Sequence, residues 1–501
     1  MTRYVLTNRR AGNLTDRAKK ASNATVTKIL EKISSARVIS DHPPADQLAR
    51  RVVVLEADSA AVKKLLPSLP AGAIIEREMH RNLPDLTPFR ASSTLPVSSK
   101  SAFHLSVQIR GGGKKLRNAT AMFFLSDRLG QINTVPVRAD KNGNAFVPVP
   151  RHHVVSVVAV IPDWGFWVTI AEAPRNGATI DCASIPKAGP DGWGWWHRVM
   201  GVSAKAKARG AGIRVGVIDT GCGPNSNLSH VRRIGAFVDG KKLPGKRAAI
   251  DVAEHGTHTT GIIGARKKKP GDYEGIAPSC KLFHARVFKN VNEGPVQADL
   301  IHAIDVLSHD YHCDLINMSL AGKGYSNAEA DAIRAAAERG TLCVCSAGNE
   351  SGAIAYPAAY PECVSVSAMG QLGWAPPGTY SASNRPQLPQ RWDMIGRENL
   401  FLAAFSNYGR TLACTAPGVG IISTVPGRRG TDHARYMEMD GTSMASPAAC
   451  GILAAILSKN PKYRKMPHDK RRVAFARSLL AKHCRSAGLN IEYEGKGLPH
   501  I

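Results

Sequence analysis

Four short stretches of this chain carry side chains whose types and settings suit nucleophilic chemistry at a carbonyl. In IRVGVIDTGCG an apolar strand ends in Asp219, and Thr220 and Gly221 turn the chain. A carboxylate buried at a strand end can orient a histidine and support its charge. The tripeptide alone decides little, because many sheets end in such turns and aspartic proteases carry the same three residues. In EHGTHTTGIIG, His255 with Gly256 beside it suits a general base at the mouth of a helix, and His258 reads as structural. No glutamate stands between the two histidines, unlike the HExxH zinc motif. VCSAGNE ends an apolar strand in Ala347, Gly348 and Asn349, whose amide can donate to a developing oxyanion or simply make a turn. DGTSMASPAACGILAAIL opens an apolar helix at Ser443, where backbone N–H groups can serve an oxyanion; an ordinary N-cap serine is the alternative.

The elements that must position these groups follow from the hydrophobic pattern. Across the last 300 or so residues, strands such as RVGVID, CKLFHARVF, DLINMSL and TLCVCSAG alternate with helical stretches near 298–308 and 327–339. That alternation predicts an α/β fold: a parallel sheet covered by helices on both faces. The site is then expected at the C-terminal ends of the strands, where Asp219 and Asn349 fall.

The four motifs together resemble the subtilases, the subtilisin-like serine proteases, in residues and in the chain order Asp, His, Ser. The stretches that carry the resemblance are Asp219-Thr220-Gly221, His255-Gly256-Thr257-His258, Asn349 and GTSMASP from Gly441, within residues 193–498. The resemblance implies Ser443 as nucleophile, His255 as general base and then acid, and Asp219 as the group that fixes the imidazole tautomer. It implies an oxyanion hole from Asn349 and the Ser443 N–H. INMSLAG matches the strand that pairs with substrate, which places Ser319, Leu320 and Ala321 along the specificity pocket, with Ala347, Gly348 and Ala355 on its other wall. Ala321 and Ala355 stand where secreted members usually carry glycine, so a shallower pocket is expected. Family members often bind calcium after the histidine helix; here that stretch reads GARKKKPGDYEG, and its basic run predicts that this metal site is absent. No cofactor is expected. The stretch 371–400, rich in Pro and containing Trp374 and Trp392, is an insertion that reads as a surface excursion or a substrate-side flap.

Two smaller units precede the catalytic region of residues 190–498. Residues 1–90 read as strand, helix, strand, strand, helix, strand, a ferredoxin-like α+β order. Beside the subtilase resemblance, that order implies a propeptide that assists folding and inhibits the enzyme, with a partner-binding domain as the alternative. Residues 101–174 read as a small all-β sandwich without chemistry of its own. Polar linkers at 83–100 and 174–192 are candidates for self-cleavage, the first favoured.

Composition sets the outer bounds. The chain has 501 residues, 43% hydrophobic and 21% charged, enough apolar material for at least one large core. Its 66 Lys and Arg against 39 Asp and Glu give a formal charge of +27, spread rather than gathered into a basic arm. Without a nucleic-acid-binding motif, that charge leaves a non-catalytic basic binding protein on the same scaffold as the rival reading. Protein or peptide substrates and the chain's own N-terminal domain are the expected partners, and nucleic acid is not. No stretch is long and apolar enough to span a membrane. With no apolar signal segment and ten dispersed cysteines, the cytoplasm is the expected location, export by another route being the alternative.

Overall fold

The computed structural model describes residues 1–8, 16–33, 36–44, 50–70, 72–83, 101–203, 206, 208–387, 391–427 and 435–501. At its centre stands a nine-stranded sheet. Arg214–Asp219, Leu315–Met318, Leu342–Ser346, Val364–Gln371 and Cys414–Pro417 run parallel on one side, with Lys281–Arg286 and Arg232–Val238 parallel on the other. Alternating side chains divide the apolar residues of each strand between two cores. Val215, Val217, Leu342 and Val344 meet the helices His255–Gly264 and Thr442–Lys459 on one face. Ile218, Ile316, Met318 and Cys343 meet Gln297–His309 and Asn327–Glu338 on the other. Strands buried on both faces cannot show a polar side, which is why they read as continuous apolar runs.

The N-terminal residues form a four-stranded antiparallel sheet in the order Arg37–His42, Val52–Ala57, Thr2–Asn8, Ala73–Arg77. Val53, Leu55 and Ala57 turn towards Val26 and Ile29 of the helix Asp16–Lys32 and towards Ile33 just after it. Val52 and Val54, on the other face, pack with Val5 against Val296, Ala298, Ile301, Ala328 and Ala332. One strand therefore closes the unit's own core with one set of side chains and docks it on two helices of the large sheet with the other.

From Ser101 two four-stranded sheets face each other around Val107, Ile109, Phe123, Leu125, Val147, Val158 and Ile180. The sequence reading ends this unit at 174 and takes 174–192 as a linker. Ala178–Cys182 is instead a strand, parallel to Ser101–Gly111 and burying Ile180 and Cys182. Its two inward residues are too few to stand out among Asn, Gly, Pro and Ser neighbours. The 84–100 part of the first linker lies outside the described residues.

The inserted stretch 371–400 brackets this β unit to the large sheet. Tyr380 N donates to Val168 O at 2.9 Å and Ile170 N to Gly378 O at 2.7 Å. Trp374 sets its ring edge against Trp167 and Trp196, and its Nε1 donates to Gly420 O at 2.8 Å. Residues 388–390 of the stretch lie outside the described residues.

Candidate active site

Asp219 ends its strand beside the first turn of the His255 helix. The approach is close enough that a Cβ on Gly256 would lie 2.2 Å from Gly221 O, so only glycine lets the helix come this near the turn. His255 Nδ1 donates to Asp219 Oδ1 at 2.7 Å. Thr220 N donates to the same oxygen at 2.7 Å, and Thr259 Oγ1 to Oδ2 at 3.0 Å. Burial would raise the Asp219 carboxyl; the facing His255 ring with its hydrogen bond, His284 and the Thr220 N–H together hold it below its ordinary value. The carboxylate thus stays ionised and fixes the proton on Nδ1, leaving Nε2 as the basic nitrogen. His255 Nε2 is buried and finds no hydrogen-bond partner among the described residues.

His258, one turn on, is held by the Ile421 and Met437 carbonyls at 3.1 and 3.0 Å. Burial drives it down to about 3, so it is a neutral donor that ties the helix to the strand pair Ile421–Val425 and Arg435–Met439. Asp251 receives Thr220 Oγ1 at 2.7 Å and the Thr257 N–H at 2.7 Å, fixing the turn after Asp219 to the helix start. Cys222 is fully buried, and burial pushes its thiol up to about 12, which makes it inert.

Ser443 is the second residue of the helix Thr442–Lys459. Its Oγ donates to Ser319 O at 3.5 Å, and Ser319 Oγ donates back to Ser443 O at 2.8 Å. The hydroxyl is weakly held, at the outer limit of a hydrogen bond. Thr442 organises the neighbouring donors: its N–H and hydroxyl reach Asn349 Oδ1 at 3.0 and 2.8 Å, and its Oγ1 accepts Gly348 N at 3.1 Å. With Oδ1 engaged, the Asn349 amide is fixed in rotation.

The pocket residues named from sequence follow two neighbouring strands and a segment bonded to the second. Ser319, Leu320 and Ala321 extend from the strand Leu315–Met318, and Leu320 is wholly buried. Ala347 and Gly348 follow the next strand; Ala355 N donates to Ala347 O at 2.8 Å and the residue is half-buried. Thr442, Thr259 and Thr220 are absent from the sequence reading, because a threonine beside a motif looks like any other turn or helix residue. In the basic loop, Lys267 Nζ reaches Pro190 O at 2.6 Å, and the N–H groups of Lys268 and Lys269 both donate to Asp272 Oδ2 at 3.2 Å. Asp440 lies between the β unit's bracket and the serine: it accepts from Ser381 Oγ, Asn384 Nδ2 and Gly420 N, and burial raises it to about 6.

A family model for the subtilase family matches residues 210–486. Subtilisin Savinase of Lederbergia lenta is 30% identical over 281 residues, covering 56% of this chain and 89% of its own length. M-protease of Shouchella clausii is 31% identical over 255 residues, 51% of this chain and only 56% of its own length. The major intracellular serine protease of Bacillus subtilis is 31% identical over 261 residues, 50% of this chain and 70% of its own length. Among solved structures, fervidolysin from Fervidobacterium pennivorans, described as a keratinolytic enzyme related to subtilisin, aligns with TM-score 0.60 at 20% identity. That alignment covers 100% of this chain and 60% of fervidolysin, a likeness of fold.

Proposed function

Because the chain belongs to the subtilase family, we propose that it is a serine endopeptidase acting through Ser443, His255 and Asp219. The observation that carries the reading is the buried 2.7 Å hydrogen bond from His255 Nδ1 to Asp219, which leaves Nε2 unpartnered among the described residues and facing its task. Ser443 Oγ turns from its weak bond to Ser319 O towards Nε2, gives up its proton there and attacks the scissile carbonyl carbon. The carbonyl oxygen becomes an oxyanion at the helix N-terminus, stabilised by the Ser443 N–H and the Asn349 amide that Thr442 holds. His255 then protonates the leaving amine, and a water repeats the sequence to release the acyl group. Activity on casein by wild-type protein, lost in Ser443→Ala, tests the reading. A wild type that is folded and inactive towards every protein offered, and not shortened, favours the rival binding protein.

Residues 1–90 we assign as an inhibitory, propeptide-like unit of ferredoxin-like order, and the β-sandwich, which the strand Ala178–Cys182 extends past 174, as a unit carried with the enzyme. Two observations support the first assignment: the sheet docks on the helices Gln297–His309 and Asn327–Glu338, and Arg81 and Asn82 pair with the segments at Pro295 and Ala321. Asn82 and Ala321 exchange both backbone hydrogen bonds, at 2.8 and 2.9 Å, on one of the segments already assigned to substrate. Wild-type protein is expected to appear shortened by cleavage within 83–100, while Ser443→Ala and His255→Ala stay full length. Equal shortening of all three assigns the cut to another protease. A wild type that stays whole yet hydrolyses peptides makes the unit a partner-binding domain.

A further inference from the structure

Arg81 is fully buried, and among the described residues every group that holds its guanidinium comes from the catalytic region. Nε and Nη2 fork onto Glu329 Oε2 at 3.1 and 2.5 Å. Nη1 donates to Lys323 O at 2.9 Å and Nη2 to Gly324 O at 3.0 Å. Tyr360 OH donates to Glu329 Oε2 at 3.2 Å, and the Tyr356 ring lies 6.0 Å from the guanidinium carbon. A Cβ on Gly322 would come within 3.0 Å of Arg81 Cδ, so the wall is left bare where the side chain passes. Glu329 is itself wholly buried. If residue 81 left, the carboxylate would lose the guanidinium that forks onto it, and another guanidinium could take the same bonds.

The backbone on either side of Arg81 lies as an added strand between two segments. Arg81 N donates to Pro295 O at 2.9 Å, and the next residue, Asn82, pairs antiparallel with Ala321. Two residues back along that segment is Ser319, whose carbonyl is the partner of Ser443 Oγ. In antiparallel register, any chain lying here puts the third residue after its arginine opposite Ser319, at the nucleophile. The ion pair is therefore tied to the reaction centre by a fixed number of residues.

We propose that the Arg81 cavity is a substrate subsite in which Glu329 selects arginine at the fourth residue before the scissile bond. The inference rests on the peptidase reading above. Residues 79–83 occupy the subsite as a built-in occupant, and protein substrates carrying arginine at that position take it in turn. Lysine fits poorly, since a compact ammonium cannot serve the carboxylate and both carbonyls at once.

Internally quenched peptides that differ only at that position (arginine, citrulline, lysine or leucine) test the proposal with the protein as expressed. Arginine is expected to exceed citrulline and leucine by about 100-fold in kcat/KM, and lysine by about tenfold. Glu329→Gln should remove that preference, and Glu329→Leu should turn it towards leucine, each read as the ratio of kcat/KM among the four peptides within that variant. Should either variant fail to fold, the citrulline comparison in wild type stands alone, because citrulline keeps the shape and loses the charge. Cleavage of all four peptides at equal rates overturns the subsite while leaving the peptidase reading intact. If no peptide is cut and a fluorophosphonate also leaves Ser443 unlabelled, the reading beneath it fails instead.

Discussion

Glu76, from the N-terminal sheet, accepts a hydrogen bond from Ser326 Oγ at 2.6 Å, and Ser326 is the N-cap of the helix Asn327–Glu338. The same carboxylate takes Gln297 Nε2 at 2.8 Å and the N–H groups of Asn327 and Ala328 at 3.1 and 3.2 Å. An anion at a helix N-terminus satisfies donors that the helix leaves open and meets the positive end of its dipole. Here the anion belongs to a different structural unit, so the cap doubles as a clamp.

Replacing Glu76 with Ala is expected to loosen that clamp by about 1–3 kcal/mol, the cost of leaving buried donors unpaired. The amides of Asn327 and Ala328 should exchange with deuterium faster, and a fluorophosphonate should reach Ser443 sooner than in wild type. Unchanged exchange and labelling would show that the apolar contacts of Val52 and Val54 hold the unit without Glu76.

Thr442 touches Asn349 rather than the reacting atoms, so it is a positioning residue. Thr442→Ala should cut kcat roughly tenfold with little change in KM, less than the 10²–10³ that loss of an oxyanion donor costs in subtilisin. Thr442→Ser, which keeps the hydroxyl, should restore most of the loss. A change confined to KM would place Thr442 in substrate binding instead.

Glu438 supplies a pH signature. Its Oε1 accepts Val168 N at 2.5 Å, its Oε2 has no partner among the described residues, and burial raises the carboxyl to about 8 from an ordinary 4.5. Below pH 4.5 folded and unfolded chains both hold the proton. Between 4.5 and 8 only the unfolded chain ionises, so stability falls as pH rises, by about 5 kcal/mol at most. Glu438→Gln keeps the acceptor and removes the charge. Its Tm advantage over wild type should therefore grow from pH 5 to pH 9; a constant difference would mean that Glu438 does not titrate in this window.

The basic loop at 267–269, closed on Asp272 and Pro190, offers a cation little attraction. Treatment with EDTA should leave Tm within a degree of its starting value. A bound ion at 100 times its Kd would stabilise the fold by about 2.7 kcal/mol, a drop that a thermal melt registers easily.

The large sheet and the groups around Ser443 were legible because each depends on a few consecutive residues: an apolar strand, a turn, a polar end. Asp219, His255, Asn349 and Ser443 each sit in such a stretch. What stayed hidden depends on distance along the chain. Arg81 and Glu329 are 248 residues apart, and each alone is an ordinary charge in a polar stretch. Glu76 reads as one more acid on a strand until the fold brings helix Asn327–Glu338 against it. The bracket at Trp374 was equally silent, since its meaning lies in Trp167 and Gly420, which no local pattern links to it.

In the proposed mechanism His255 makes Ser443 nucleophilic. Mass spectrometry of protein treated with a fluorophosphonate tests it directly, because the reagent modifies an activated serine and leaves ordinary hydroxyls alone. A single adduct on the peptide bearing Ser443 is expected in wild type, none in Ser443→Ala, and labelling slowed by about 10³-fold or more in His255→Ala. An unlabelled wild type, or His255→Ala labelled as fast as wild type, would contradict it.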